Sequence, residues 1–260
     1  MRLNTRWLVV LSLLAAIPLS GCGFITKLRA RDALNQGVKA FVEQRYEEAA
    51  TLFEESIRLD PDFQVARMYL ATTYTSQFVP GSPDPKSREM ADKAIATFQS
   101  IAESDPNSIN SMLSIASLYY QLQEYDKSKE WCQKIFSVDP NNAEAFYRIA
   151  VIDFDQSSQK TGLQGENVEF LTADDKTKTL KDIDEGLDAI EKALKIKPDY
   201  FDAMEYQNLL WREKAKFEND AKVRAELIRQ ADLVAQKALM MRLQQQQEDA
   251  KKPKKLATGK

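Results

Sequence analysis

The sequence predicts an all-α protein built from repeated helical hairpins, and three observations carry that reading. Ala, Leu, Lys, Glu, Asp and Gln dominate the 260 residues, which hold only eight glycines and nine prolines; such a composition favours or tolerates helix. No long run alternates Val, Ile and Thr with period two, so strands are not expected. Self-similar segments end at Pro61, Pro106, Pro140 and Pro198, and recurrence at this scale points to stacked helical units.

Composition also excludes function classes. The formal charge of −3 is spread along the chain with no basic stripe, so a nucleic-acid partner is not expected. There is no histidine, which removes the commonest general base and the commonest metal ligand together. Cys22 and Cys132 are too few for a disulfide framework or a structural zinc site.

Taken in chain order, residues 1–21 read as an export signal. Arg2 and Arg6 precede an apolar run from Trp7 to Leu19, and small residues lead into Cys22. The run falls short of the roughly 20 residues a membrane-spanning helix needs. Leu19-Ser20-Gly21-Cys22 resembles the bacterial lipobox. That resemblance implies cleavage after Gly21 and thioether-linked diacylglycerol on Cys22, the expected lipidation site. Loss of Arg2 and Arg6 would take the charge from −3 to −5. Gly23, where an aspartate would imply retention at the inner membrane, implies an outer-membrane lipoprotein facing the periplasm. Residues 22–29 are expected to be a lipidated tether.

The repeat begins near Ala30. Segments AATLFEESIRLDP, AIATFQSIAESDP, SKEWCQKIFSVDP and GLDAIEKALKIKP align without gaps. Twelve residues before each proline stands a small residue: Ala49, Ala94, Ser128 or Gly186. Eight before stands Phe53, Phe98, Cys132 or Ile190, on the same helix face as the small one. The small residue admits a neighbouring helix, and the proline ends its own. Ten residues after the prolines come Ala71, Ala116, Ala150 and Asn208, and thirteen after come Tyr74, Tyr119, Asp153 and Trp211; the first register, placed before Pro61, gives Gly37.

Proline spacings are 45, 34 and 58, and the middle value is the tetratricopeptide period. The pattern resembles the tetratricopeptide family, which implies a helical-hairpin solenoid of about five hairpins over residues 30–246. The two excesses are expected as long loops inside the second and fourth hairpins, FVPGSPDP and a stretch within residues 156–179. The fifth hairpin diverges, with Gln207-Asn208 where earlier units carry an apolar-small pair. It is expected to cap the stack with a polar outer face, Val223, Leu227, Val234, Ala238 and Met241 sealing it from within. Residues 247–260 read as a disordered polar tail.

In this family the first helix of each hairpin lines a concave ligand groove. The resemblance therefore implies a partner-binding groove made by Leu34, Val38 and Phe41; Met68, Thr72 and Thr75; Asn110, Leu113, Ser117 and Tyr120; and Tyr147, Val151 and Phe154. This lining suits an extended peptide or an amphipathic helix. The basic clamp that one sub-type uses for a terminal carboxylate is not matched, since Leu34, Val38, Asn110 and Ser114 stand at its places. Arg148 and Arg212 are the first-helix arginines available to a carboxylate.

The sequence therefore leads to a non-catalytic, membrane-anchored scaffold for a protein or peptide partner. The alternative is a subunit of an envelope assembly machine, of the kind that builds outer-membrane barrels or pilus secretins. No cofactor, metal or catalytic residue is expected. Cys132 sits in the bulky packing column, Asp174-Asp175 lack metal or acid–base spacing, and no phosphate-binding glycine loop is present.

Overall fold

The computed structural model describes the backbone of residues 18–251 and the side chains of residues 23–248. Among these residues it is all-helical, the tetratricopeptide-type hairpin architecture that the repeat implies. The helices are α1 (Pro18–Val42), α2 (Tyr46–Leu59), α3 (Gln64–Gln77), α4 (Pro85–Ser104), α5 (Ile109–Gln121), α6 (Tyr125–Val138), α7 (Ala143–Thr161), α8 (Ala173–Ile196), α9 (Phe201–Ala215) and α10 (Ala221–Lys251), with one 3₁₀ turn at Val168–Phe170. Packing divides the chain into two compact units, the first ending at Glu124 and the second beginning at Tyr125. In the first, α1 packs on α2, α2 on α3, α3 on α4 and α4 on α5, and α1 also meets α3. In the second, α6 packs on α7, α7 on α8, α8 on α9 and α9 on α10, and α7 also meets α9.

The aligned columns are the packing. Ala49, Ala94, Ser128 and Gly186 are buried, as are Phe53, Phe98, Cys132 and Ile190. Full burial of one such large side chain contributes on the order of 2–3 kcal/mol. Small residues set how closely the helices approach. A Cβ built on Gly37 of α1 would lie 2.6 Å from the Phe53 ring of α2. On Gly186 of α8 it would meet Asp153 Cβ of α7 at 3.0 Å and Leu210 of α9 at 3.1 Å. Ser56 Oγ then ties α2 to α1 by donating to the buried Ala30 carbonyl at 2.7 Å.

Two kinds of turn recur. Between hairpins, Asp105 Oδ1 accepts from Asn107 N and Asp139 Oδ1 from Asn141 N, each at 3.1 Å. The aspartate before the proline thus supplies the acceptor that the chain reversal needs. The extended backbone of Asp60 and Asp105 is what a following proline enforces. Lys197 takes the same extended backbone in the fourth unit without a carboxylate to offer. Within hairpins, the α1–α2 and α5–α6 turns are copies of one another. Gln44 (φ 60°) and Gln123 (φ 59°) adopt the left-handed conformation. Arg45 N bonds to Ala40 O and Glu124 N to Tyr119 O, both at 2.9 Å.

The first insertion is the loop expected at FVPGSPDP, whereas helix absorbs much of the second. Only 78–84 lies between α3 and α4, and α4 runs for 20 residues where α2 and α6 each have 14. Asp84 caps α4, accepting from Lys86 N at 2.9 Å, with Pro85 in its first turn. Of residues 156–179, only 162–172 lie outside α7 and α8. The chain breaks at Gly162 and Gly165, both at positive φ. Thr172 then starts α8 by accepting from Asp175 N.

The last helix also departs from the capping expectation. Ala231 and Ala238 are buried and Leu227, Val234 and Met241 half-buried, but Val223 is exposed. The outer face carries exposed Leu233, Leu239, Met240 and Leu243, so it is not the polar face the sequence led us to expect. At the other terminus, residues 22–29, expected as a tether, are helical and belong to α1, which begins at Pro18 within the expected signal. Residues 247–251, expected as part of the tail, continue α10, and the tail from residue 252 lies outside the described residues.

These contacts give two substitutions with opposite signs. Gly37→Ala forces the Phe53 ring to move and should lower the unfolding free energy by about 1–3 kcal/mol. Gln44→Gly relieves a left-handed non-glycine residue and should raise it by about 0.5–1 kcal/mol. Urea unfolding of the three proteins, followed by circular dichroism, measures both.

Candidate functional site

The expected groove residues divide between the two units. In the first, Leu34 is buried, Val38, Phe41, Met68, Thr72, Thr75, Leu113, Ser117 and Tyr120 are half-buried, and Asn110 is exposed. The Phe41 ring meets Tyr69 edge-on at 6.5 Å, and Tyr69 stacks on Phe53 at 5.4 Å, so this end of the face merges into the core. Thr72 and Thr75 spend their hydroxyls on the carbonyls one turn back, at 2.8 and 2.9 Å.

The second unit gathers its expected residues into a cluster. Tyr147 and Phe154 are half-buried on α7, with Val151 between them 7% exposed and part of the core. Tyr206 of α9, which sequence reasoning missed, stands edge-on to both, at 5.5 Å from Tyr147 and 5.7 Å from Phe154. Tyr200 closes the other side of Tyr147 at 5.0 Å and donates its hydroxyl to Glu144 Oε2 at 2.5 Å. Two signals were available, the position of Tyr206 in the first helix of the fifth hairpin and its aromatic character. Burial pushes the Tyr147 hydroxyl well above the usual tyrosine range and raises that of Tyr206, and Asp202, together with Glu144 at Tyr147 and with Asp155 and Glu205 at Tyr206, reinforces it. The aromatic surface is therefore rimmed by carboxylates. Both candidate arginines are already paired, Arg148 with Glu144 at 3.2 Å and Arg212 with Asp232 at 2.5 Å.

The lengthened segments build two further surfaces. In the first unit, the overhanging start of α4 forms a cleft of about 510 Å³ with α2 and α3. Its lining mixes Glu47, Glu54, Tyr74, Lys86, Glu89 and Lys93. Lys86 pairs with Glu47 at 2.6 Å, and Tyr74 donates to Glu54 at 2.5 Å. In the second unit, the connection between α7 and α8 holds Leu163 and Phe170 out to solvent. Its root is fixed by Lys216, whose ammonium donates to Gly162 O and Glu213 Oε2, each at 2.7 Å, while Thr161 also bonds to the buried Glu213.

Two buried groups bear on chemistry. Cys132 is fully buried, and desolvation pushes its thiol up to about 12, far from the thiolate that reactivity requires. Asp153 occupies the column that holds Tyr74, Tyr119 and Trp211 in other units. It too is fully buried, with its carboxylate paired to Lys129 of α6. Desolvation raises it to about 6 against the pull of Lys129, and Asp182 and Glu185 add to the rise. Asp153, Asp182 and Glu185 place one oxygen each within 4.8 Å of one another and are the described residues that could hold a metal ion. The Lys129 ammonium already supplies a compensating charge there.

A model of the tetratricopeptide repeat matches residues 109–142, the stretch from α5 to the turn before α7. Among solved structures, MamA shares the fold at 17% identity, with a TM-score of 0.55 over 81% of this chain and 96% of its own. MamA from Desulfovibrio magneticus RS-1 does so at 13% identity and a TM-score of 0.55, over 84% and 97%. YrrB, described as a TPR protein with an unusual peptide-binding site, aligns at 13% identity and a TM-score of 0.50, over 83% and 90%. No curated protein matches the sequence.

Asp153 makes stability depend on pH. Its folded value of about 6 lies above the roughly 3.9 of a free aspartate. Its stabilising protonation is complete below the unfolded value and lost as pH rises through 6. Asp153→Asn should therefore gain on the wild type by about 2–3 kcal/mol between pH 4 and pH 7. Urea unfolding of both proteins at the two pH values tests it, and an unchanged difference would remove Asp153 as the cause.

Proposed function

We propose that the protein is a non-catalytic scaffold, anchored by lipid on Cys22 in a bacterial outer membrane and facing the periplasm. There it would hold a peptide or protein partner against the first-helix face of its hairpins. The observation that carries this reading is the half-buried cluster of Tyr147, Phe154 and Tyr206, whose rings lie 5.5 and 5.7 Å apart. Rigid aromatic surface with few rotors loses little entropy on binding and dominates interface energetics. Asp155, Asp202 and Glu205 near Tyr206 favour a partner segment that combines apolar and basic side chains. The peptide-binding site named for YrrB supports the same use of the fold.

A non-catalytic role is supported by the buried, high-pKa thiol of Cys132. Anchoring is supported by Leu19-Ser20-Gly21-Cys22, and outer-membrane placement by Gly23. Residues 1–17 of the signal lie outside the described residues, as does the Cys22 side chain. A second reading, a fixed subunit of an envelope assembly machine, is favoured by exposed Leu233, Leu239, Met240 and Leu243 on α10, since permanent interfaces are more apolar than transient ones.

Two measurements test these readings. Tyr147→Ala with Tyr206→Ala should weaken crosslinked capture of the native partner about tenfold or more, while Asp202→Lys, which leaves the rings in place, weakens it less. Undiminished capture by the double variant at wild-type helical content would move the site to α10 or the inserted segments. Cys22→Ser should release the protein from membranes into the soluble fraction, and unchanged fractionation would overturn the anchor.

A further inference from the structure

We propose that the two turns of α1 that follow Cys22 form a second membrane contact, an amphipathic foot that rests on anionic phospholipid beside the acylated cysteine. The inference rests on the lipid-anchor reading and adds to it a surface built from the folded chain.

Phe24, Ile25 and Leu28 are 66, 57 and 46% exposed. At 100° per residue they share one side of α1. The opposite side is spent on the core, through Ala30, Ala33, Leu34, Gly37 and Ala40. The exposed apolar side lasts only two turns. Farther along, the same side carries Asp32, Asn35, Gln36 and Lys39, all exposed.

Helix geometry places this patch beside the anchor. With a rise of about 1.5 Å per residue, Phe24 lies roughly 3 Å and Leu28 roughly 9 Å along the axis from position 22. Acyl chains on Cys22 would hold this short segment at the headgroup boundary, where an amphipathic helix sinks its apolar side about 5–10 Å. The charges agree with that occupant. Lys27, Arg29 and Arg31 are exposed, and no acid occurs between Gly23 and Arg31. Long basic side chains can flank an apolar strip while their ends reach phosphate groups. Thr26 Oγ1 donates to Gly23 O at 3.0 Å, a hydrogen bond within these same turns. The contact would fix how the first unit stands on the membrane, which a lipid on a flexible tether would not.

The test uses the acylated, full-length protein in vesicles of phosphatidylethanolamine and phosphatidylglycerol. Nitroxide labels are placed through Leu28→Cys or Lys39→Cys, which lie three turns apart on one side of α1; Cys132 is buried and does not compete. The label at 28 should be open to oxygen and shielded from a water-soluble nickel chelate, and the label at 39 the reverse. Equal chelate exposure at both, in protein that floats with vesicles, overturns the foot while leaving the anchor intact. Failure to float overturns the anchor and the foot with it. In a companion experiment on Cys22→Ser protein, Phe24→Ser, Ile25→Ser and Leu28→Ser together should lower vesicle partitioning about tenfold or more. If that triple substitution instead dissociates a dimer in vesicle-free solution, the patch is a protein interface and the proposal falls.

Discussion

Close approach between helices is the constraint on which the rest of this structure depends. A hairpin cannot bury its apolar stripe alone, so each helix must come near enough to a neighbour to share one. Gly37 under the Phe53 ring and Gly186 against Asp153 and Leu210 are two such approaches, too close to admit a Cβ without a shift. Ala49, Ala94 and Ser128 hold the position of Gly186 in other units, and Ala71, Ala116 and Ala150 that of Gly37. Where the small residue sits determines where the bulky one lands, and so which side of each first helix is left over for a partner.

The second unit tests that constraint by placing a charge in the packing column. Asp153 fills a site that is aromatic elsewhere, and the small residue facing it is a glycine rather than an alanine. The glycine leaves room for a carboxylate, and Lys129 makes the charge tolerable. A buried ion pair adds little net stability over an apolar pair of the same shape, whereas breaking it is costly. The arrangement therefore defines one packing geometry without strengthening it much.

The hairpins were legible because steric columns leave a strict trace: small at −12, bulky at −8 and proline at 0. Surfaces leave a weaker one. Tyr206 was missed because its helix lacks the apolar-small pair that marks the register, carrying Gln207-Asn208 instead. The second insertion was read as a loop because it is polar and broken by glycines, yet its non-glycine stretches propagate helices already nucleated at their ends. The outer side of α10 was expected to be polar because a stack needs a soluble end. Exposed leucines and Met240 occupy it instead, and the periodicity of a single helix does not tell which apolar side a core will take. Of the residues expected to line a groove, Tyr147 and Phe154 of α7 are half-buried, whereas Val151 of α7 and Leu34 of α1 belong to the core.

The turns inside the hairpins alternate in kind, and this has a practical consequence for anyone building on the scaffold. Those at Gln44 and Gln123 are three residues long and closed by paired backbone hydrogen bonds, so an added residue would break the pattern that aims the next helix. The connection between α3 and α4 is held at its root by Ser87, which bonds to both Val79 N and Val79 O. Pro80, Gly81 and Pro83 beyond it are exposed. Lengthening such a tip costs only about 0.6 kcal/mol per doubling. Gly81 is thus a place to splice in an epitope or a fluorescent reporter without disturbing the buried columns on either side.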